Sequence, residues 1–230
     1  RLLDSLWRAD SLWRRDWYAQ AMRAELFLAR GDRDSARAVV AAVARTAEGT
    51  LRATTRAGLS NDALVRGRLR EAAALAAEAD AAVAAMGGGS DEGVFVRAWS
   101  DAWYRDRKPE AVRVLDSLHA DARWLRARAP ADRGYALHGI IYARAGRPDR
   151  AAAMLARIAA EDPALARRAP AQLRALRADV AIARGAYAEA LAVLRARRPL
   201  EVEGGPGDRF LEALAFDRMG QRDSALAAYE

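Results

Sequence analysis

One turn sequence recurs along this chain at a nearly constant interval, and this recurrence restricts the possible folds more than any other feature. The stretch ARGDRDSARAV at residues 29–39 returns near the other end as RMGQRDSALAA at residues 218–228. Each copy has a glycine followed five residues later by an alanine. Six turns fit the pattern, with an aspartate in one glycine place: Gly31/Ala36, Gly67/Ala72, Asp106/Ala111, Gly146/Ala151, Gly185/Ala190 and Gly220/Ala225. They lie 36, 39, 40, 39 and 35 residues apart, a period typical of stacked structural repeats.

The residues around these turns predict a helical hairpin. Glycine can end the first helix in a left-handed conformation, and Asp or Ser in DRDSA (residues 32–36), or Asp149, can cap the second helix. The turn alanine should pack where the two helices cross. A small residue that permits close approach precedes the turn by seven positions in five copies: Ala24, Ser60, Gly139, Ala178 and Ala213, with Trp99 as the exception. An apolar residue expected to fill the space between hairpins follows the alanine by four: Val40, Ala76, Leu115, Leu155, Leu194 and Tyr229.

Alanine and arginine dominate the composition. The 230 residues include 59 alanines, and Lys108 is the only lysine among 38 basic residues. Alanine and arginine both favour helix, whereas Val, Ile and Thr are too sparse to form much sheet. The same bias suggests a GC-rich bacterial genome. We therefore predict an all-α protein of about six helical hairpins.

Two glycine-rich segments interrupt the helical composition. Met86–Gly93 separates residues 1–89, whose repeats are degenerate, from residues 90–230, whose repeats are clearer. The turn interval runs through this segment undisturbed, so we interpret it as a loosened loop within one continuous array. We interpret Glu201–Asp208 as a second flexible joint. Because the chain begins at Arg1 rather than Met and stops within an expected helix, we expect a fragment of a longer protein.

The net charge of +7 could indicate a nucleic-acid or anionic-lipid partner. However, 31 acidic residues are interspersed with the basic ones and no long basic run exists, so a solvated surface is favoured over a nucleic-acid interface. No uncharged apolar run approaches the length of a membrane helix, and no signal peptide is visible. Without cysteine the redox compartment stays open, and the cytoplasm is favoured.

The residue types that catalysis requires are scarce. The two histidines, His119 and His138, lack the HExxH spacing of a zinc site. We interpret His138 as a hydrogen-bonded core residue, and His119 as a residue whose charge interacts with a helix C-terminus. The adjacent carboxylates Glu161 and Asp162 precede a proline and are expected in a solvated loop. We therefore predict no enzyme activity, no cofactor and no metal.

Three further features have structural interpretations. Gly87–Gly89 lacks the Lys-Ser/Thr of a phosphate-binding loop. The RGD at Arg30–Asp32 is the turn of the first hairpin. Tryptophans spaced four apart, Trp13 with Trp17 and Trp99 with Trp103, fall on one helix face and are interpreted as core residues. Ser11 is a candidate N-cap for the first helix.

The repeat resembles the tetratricopeptide family. The copy at Tyr135–Pro163 matches the family pattern at Tyr135, Gly139, Tyr142, Gly146, Ala151, Leu155, Ile158 and Pro163. It departs from the pattern at His138, where the family prefers leucine. The last copy matches at Ala213, Phe216, Gly220, Ala225 and Tyr229, and the first at Ala24, Phe27, Gly31 and Ala36.

This resemblance implies an α-α superhelix whose concave groove, lined by the first helix of each hairpin, binds peptides. The family's groove positions map onto candidate partner-binding residues: Tyr18, Arg133, Ile140, Arg144, Asp179, Phe210 and Arg218. The arginines would favour an acidic segment or a C-terminal carboxylate. The family's carboxylate-clamp subgroup has Lys and Asn where Ala136 and Ile140 stand, so the chaperone tails that it binds are not expected here.

The resemblance favours a non-catalytic scaffold that binds a partner protein or peptide. The alternative is a regulatory or sensor segment of a bacterial signalling protein, such as a serine/threonine kinase or a transcriptional regulator. A third class, RNA binding by related pentatricopeptide-type hairpins, uses polar residues, often asparagine, in each repeat. Asn61 is the only asparagine, which argues against that class.

Overall fold

The computed structural model describes residues 17–196 and 206–229, and this part of the chain is all-helical. Its fourteen α-helices are α1 (Trp17–Ala29), α2 (Arg33–Thr46), α3 (Gly49–Val65), α4 (Leu69–Ala85), α5 (Glu92–Trp103), α6 (Lys108–Ala120), α7 (Ala122–Ala127), α8 (Tyr135–Arg144), α9 (Pro148–Glu161), α10 (Leu165–Arg168), α11 (Pro170–Ala183), α12 (Tyr187–Arg195), α13 (Pro206–Arg218) and α14 (Arg222–Tyr229). One 3₁₀ turn, Pro130–Asp132, precedes α8. The predicted all-α class is confirmed.

The chain divides into two compact units, residues 1–100 and residues 101–230. The division falls inside α5, after the glycine-rich segment at which the sequence was divided. That segment does interrupt the helices from Met86 to Asp91, whereas Glu92 and Gly93 already belong to α5. Of the second expected joint, residues 201–205 lie outside the described residues, and Pro206–Asp208 form the first turn of α13. Ser11 and Trp13 also lie outside the described residues.

All six predicted turns have the left-handed backbone. The five turn glycines have φ between 71° and 78°. Asp106, which takes the glycine place in the remaining copy, has φ 49° and is the only non-glycine residue with positive φ in the described part. Arg147 N donates to Tyr142 O at 2.8 Å around Gly146, which closes the helix end in the manner of a Schellman motif. The hairpin prediction is therefore confirmed at the level of the turn.

The turn alanines are buried at every copy, none more than 4% exposed. The small residues that precede the turns are buried too, at Ala24, Ser60, Gly139, Ala178 and Ala213. The apolar position one turn later is less regular. Ala76, Leu115 and Leu194 are fully buried, Val40 and Leu155 are half-buried, and Tyr229 is exposed.

The predicted helix caps have different outcomes. Asp32 caps α2, because its carboxylate accepts a hydrogen bond from Ser35 N at 3.0 Å. The prediction for Asp149 is wrong. Arg147 is the N-cap residue of α9, and Asp149 lies in the first turn, where its carboxylate accepts two hydrogen bonds from the Arg147 guanidinium.

In the first unit, a hydrophobic core joins α2, α3, α4 and the start of α5. Its buried members include Leu59, Leu75 and Val96, with the half-buried Trp99 packed against them. The core interpretation of Trp99 is therefore confirmed.

In the second unit, consecutive helices pack as pairs: α8 with α9, α11 with α12, and α13 with α14. The first helix of each pair also contacts the first helix of the next, α8 with α11 and α11 with α13. A buried ion pair between Arg174 and Asp208, 2.8 Å apart, links α11 to α13. These contacts bring residues of α8, α11 and α13 to a common cavity.

Candidate functional site

A cavity of about 410 Å³ lies within the second unit. Its wall is built from the end of α5, the start of α6, the C-terminal turn of α8, and parts of α11, α12 and α13. The charged and aromatic residues of the wall are Trp103, Lys108, Arg144, Asp179, Tyr187, Phe210 and Arg218, and Ile182 and Leu214 are among its apolar residues.

The centre of the wall is an ion pair between two helices. Asp179 on α11 is only 3% exposed, and its Oδ1 lies 2.6 Å from Nε of Arg144, the last residue of α8. Burial raises the pKa of Asp179 to about 6, although the Arg144 charge opposes this shift. At neutral pH the carboxylate is therefore ionised and neutralises the Arg144 guanidinium.

The Arg144 guanidinium also lies over two aromatic rings. Its central carbon is 4.9 Å from the ring centroid of Phe210 and 5.6 Å from that of Trp103, within the range of cation–π attraction. Neither Nη nitrogen of Arg144 donates a hydrogen bond to any other residue of the described chain. The fold thus holds the guanidinium at Nε and over the rings, and leaves its outer donors for a ligand.

Two more cations stand on the same wall. Lys108 is about half exposed, and its Nζ is 3.9 Å from the exposed Asp106 carboxylate, a contact that contributes little to stability. Arg218, at the end of α13, is exposed and forms no ion pair with the residues that the structure describes. The wall therefore combines three cations with one buried carboxylate that is already paired. Such a surface attracts anions.

Four of the predicted groove residues, Arg144, Asp179, Phe210 and Arg218, line this one cavity. Ile140 lies one turn before Arg144 on α8, is half-buried and is not part of the wall. The backbone of Tyr18 belongs to α1 in the first unit, and its side chain lies outside the described part.

Arg133 is held by the loop that leads into α8 and does not line the cavity. It donates to Leu125 O at 2.7 Å and to Arg128 O at 3.1 Å. It also contacts the Tyr135 hydroxyl and forms an ion pair with Glu161. These bonds use the guanidinium to fix the loop, and the partner-binding role of Arg133 stays a prediction.

The sequence reasoning missed Trp103, Lys108 and Tyr187 as wall residues. Trp103 was interpreted as a core residue, but it is half-buried and borders the cavity. Lys108 and Tyr187 begin the second helices α6 and α12, and the family's groove positions belong to first helices. The available signal was that Lys108 is the only lysine in an arginine-rich chain.

A second cluster of titratable residues surrounds His119 on α6. The His119 and His138 rings are 5.1 Å apart, and Trp124, Tyr135 and Tyr142 pack around them. Both histidines are buried. Burial lowers the pKa of His119 to about 4, assisted by the Arg157 charge, and burial lowers the pKa of His138 to about 3.

The expectation for His119 is therefore wrong, because the imidazole is neutral at physiological pH and has no charge for the helix dipole to stabilise. The expected core position of His138 is confirmed, since it is 2% exposed.

The expectation for the carboxylates of Glu161 and Asp162 is confirmed in part. Glu161 accepts a hydrogen bond from the Tyr135 hydroxyl at 2.7 Å. Asp162 is buried and accepts two hydrogen bonds from Arg168, at 3.0 and 2.9 Å. The expected end of a helix is confirmed, because α9 ends at Glu161 and Asp162 is its C-cap residue. Glu161 is exposed as expected, whereas the expected solvation of Asp162 is wrong because its side chain is buried against Arg168.

Among the described residues, no group of three or more His, Asp or Glu side chains is placed to hold a metal ion. None of the described helices has the length and apolar character needed to cross a membrane. Comparisons of the chain with protein-family models, curated proteins and solved structures find no match.

Proposed function

We propose that this protein is a non-catalytic interaction scaffold, in which residues 101–230 form a TPR-like superhelix that binds a partner protein or peptide in its groove. The binding site is the cavity between α8, α11 and α13. One observation carries the proposal: the first helices of three successive hairpins lie side by side, and each contributes a side chain to a single cationic and aromatic wall.

The order of helix contacts supports this proposal. Each of α8, α11 and α13 packs against its own second helix, and α11 also contacts both of the other first helices. A tetratricopeptide groove is formed by first helices in this order. Asp179 and Phe210 come from α11 and α13 and meet around the Arg144 guanidinium of α8. This meeting supports a binding site formed by the first helices.

The chemistry of the wall supports binding in preference to catalysis. Its one carboxylate, Asp179, is buried against Arg144, and the other charged groups of the described wall are exposed cations. Exposed cations beside aromatic rings provide charge and contact area for a partner. A nucleophile with an adjacent base is not formed by these residues.

The test is affinity capture followed by mass spectrometry, using the 230-residue chain and two variants with the same change in net charge. Lys108→Glu/Arg218→Glu reverses the two exposed cations of the wall. Arg177→Glu/Arg209→Glu reverses two exposed arginines of α11 and α13 that do not line the cavity. Because all four side chains are exposed, each variant is expected to retain its circular dichroism spectrum and its melting temperature.

We expect the wild-type protein and the Arg177→Glu/Arg209→Glu control to capture the same partners in equal amounts. The Lys108→Glu/Arg218→Glu variant should no longer capture them. Equal capture by all three proteins would contradict binding at this cavity. Loss in both variants would indicate nonspecific attraction to a basic surface, and would contradict the proposal as well.

A further inference from the structure

The Arg144 guanidinium has the geometry of a preformed carboxylate receptor. Asp179 engages only its Nε edge, at 2.6 Å. Its central carbon lies over the rings of Phe210 and Trp103, 4.9 and 5.6 Å from their centroids. The two Nη groups have no acceptor among the described residues, and Arg144 lines the cavity. The paired N–H donors of a guanidinium can bind a carboxylate in a bidentate manner. Because the side chain is only 17% exposed, little conformational entropy is lost on binding.

The remaining charges indicate how many anionic groups the partner carries. Lys108 at the start of α6 and Arg218 at the end of α13 stand on different elements from Arg144 and are both exposed. A single carboxylate that binds Arg144 would leave Arg218 without an anion among the described residues, and Lys108 with only its weak contact to Asp106. A segment with several acidic side chains would match all three, whereas a chain terminus brings only one carboxylate.

The apolar part of the wall indicates what accompanies the acidic residues. Ile182, Leu214 and the ring of Phe210 line the same cavity, and Phe210 is 41% exposed. The volume of about 410 Å³ has room for large side chains beside the guanidinium. An aliphatic or aromatic side chain next to an acidic one would cover this surface and exclude water from the ion pair.

On these grounds, and resting on the function proposed above, we infer that the cavity binds an internal protein segment in which acidic side chains alternate with large apolar ones, with one carboxylate bidentate to Arg144. The carboxylate comes from an Asp or Glu side chain of the partner. The Asp179 and ring contacts serve to position the Arg144 guanidinium.

Three synthetic peptides test this assignment on the full chain by isothermal titration calorimetry. The first alternates glutamate with leucine and is capped at both ends. The second has glutamine in place of glutamate and the same caps. The third is the glutamine peptide with a free C-terminal carboxylate. We expect the first to bind at least about tenfold more tightly than the other two, because each bidentate contact to a charged group contributes more than a neutral hydrogen bond.

Variants locate the binding. Arg144→Lys keeps a cation beside Asp179 but removes the fork of two donors, and should weaken the acidic peptide about tenfold at an unchanged melting temperature. Lys108→Glu/Arg218→Glu should weaken the binding of the acidic peptide at least as much. The Arg177→Glu/Arg209→Glu control should change the dissociation constant of this peptide by no more than about twofold.

Equal binding of the glutamate and glutamine peptides would overturn the inference, and so would tighter binding of the peptide with the free terminus. An equal effect of control and wall variants would also overturn it. Failure of the inference is distinguishable from failure of the proposed function. If partners are still captured in a manner sensitive to Lys108→Glu/Arg218→Glu while the acidic peptide does not bind, the scaffold function stands and the ligand class is wrong.

Discussion

In each repeat, the helix before the turn is expected to need a small residue where it crosses its neighbouring helices. Replacing Gly139 with alanine tests this requirement. Gly139 lies in the middle of α8, where that helix packs on α9 and α11. A Cβ atom at this position would lie 2.6 Å from Leu176 Cδ1, 3.0 Å from Leu176 Cδ2 and 3.2 Å from Met154 Cβ. Leu176 is fully buried, so its side chain has no open space into which to move.

Two opposing terms set the magnitude. Glycine to alanine within a helix gains about 1 kcal/mol from helix propensity. Inserting a methyl group into a packed crossing costs about 1–3 kcal/mol, and the contacts at Leu176 place Gly139→Ala toward the upper end. We expect a net loss of about 1–2 kcal/mol in the free energy of unfolding, equivalent to about 3–6 °C in melting temperature.

The matched control is Gly58→Ala in α3. Gly58 is also helical, but no atom lies within 4 Å of the Cβ that alanine would add. This control should stabilise the protein by about 0.5–1 kcal/mol, because the propensity gain is unopposed. Urea unfolding followed by far-UV circular dichroism measures both changes.

A double-mutant cycle with Leu176→Ala isolates the contact. Leu176→Ala alone should cost about 2–5 kcal/mol. Since it removes both Cδ atoms that the new methyl group would meet, adding Gly139→Ala to it should cost at least about 1 kcal/mol less than in wild type. If Gly139→Ala were as stable as Gly58→Ala, or if its cost did not change when Leu176 is replaced, the proposed need for a small residue at this crossing would be refuted.

The remaining predictions concern backbone strain, acid stability and a buried ion pair. Asp106→Gly should stabilise the protein by about 0.5–1 kcal/mol in thermal melts, because an aspartate at φ 49° is strained and its exposed ion pair is weak. Lowering the pH from 6.5 to 4 should remove the stability that depends on neutral His119 and His138, since the unfolded chain binds protons that these histidines, with their lowered pKa values, do not bind when folded. The raised pKa values of Asp179 and Glu92 act in the opposite direction, so the histidine contribution is measured with a variant. For His119 the loss in the free energy of unfolding is about 3 kcal/mol. His119→Phe should therefore reduce the difference between the denaturation midpoints at pH 7 and pH 4.5. An unchanged difference would contradict the lowered pKa of His119. Asp208→Ala should cost about 3 kcal/mol, because it removes the carboxylate from the buried Arg174; in urea unfolding, a loss typical of a surface residue would show that this ion pair is not buried in solution.

The hairpin turns were predictable because their determinants are local. A glycine at a helix end, an alanine five residues later and a small residue seven before it act through neighbouring turns of the chain. Even the aspartate at position 106 adopts the left-handed conformation that its place in the interval predicts. The cap at Asp149 was wrong, because α9 begins at Pro148, which makes Arg147 the N-cap residue and puts Asp149 inside the first turn.

The candidate site was predictable only in part. Positions transferred from the tetratricopeptide pattern place Arg144, Asp179, Phe210 and Arg218 on one wall. The same transfer does not bring Arg133 to this wall, because its guanidinium bonds to carbonyl oxygens of a loop whose path no repeat pattern specifies.

The sequence by itself determined the helical class, the positions of the turns and the residues that pack at each crossing, since these depend on propensity and on spacing along a few helical turns. Only the tertiary structure decided which charges are paired and which remain exposed. Arg144 and Asp179 are far apart in sequence and meet because α8 packs on α11. The pKa of His119 falls because four aromatic and histidine rings remove it from water. Burial and ion pairing depend on distances between residues that are remote in the chain, and only the packed structure determines those distances.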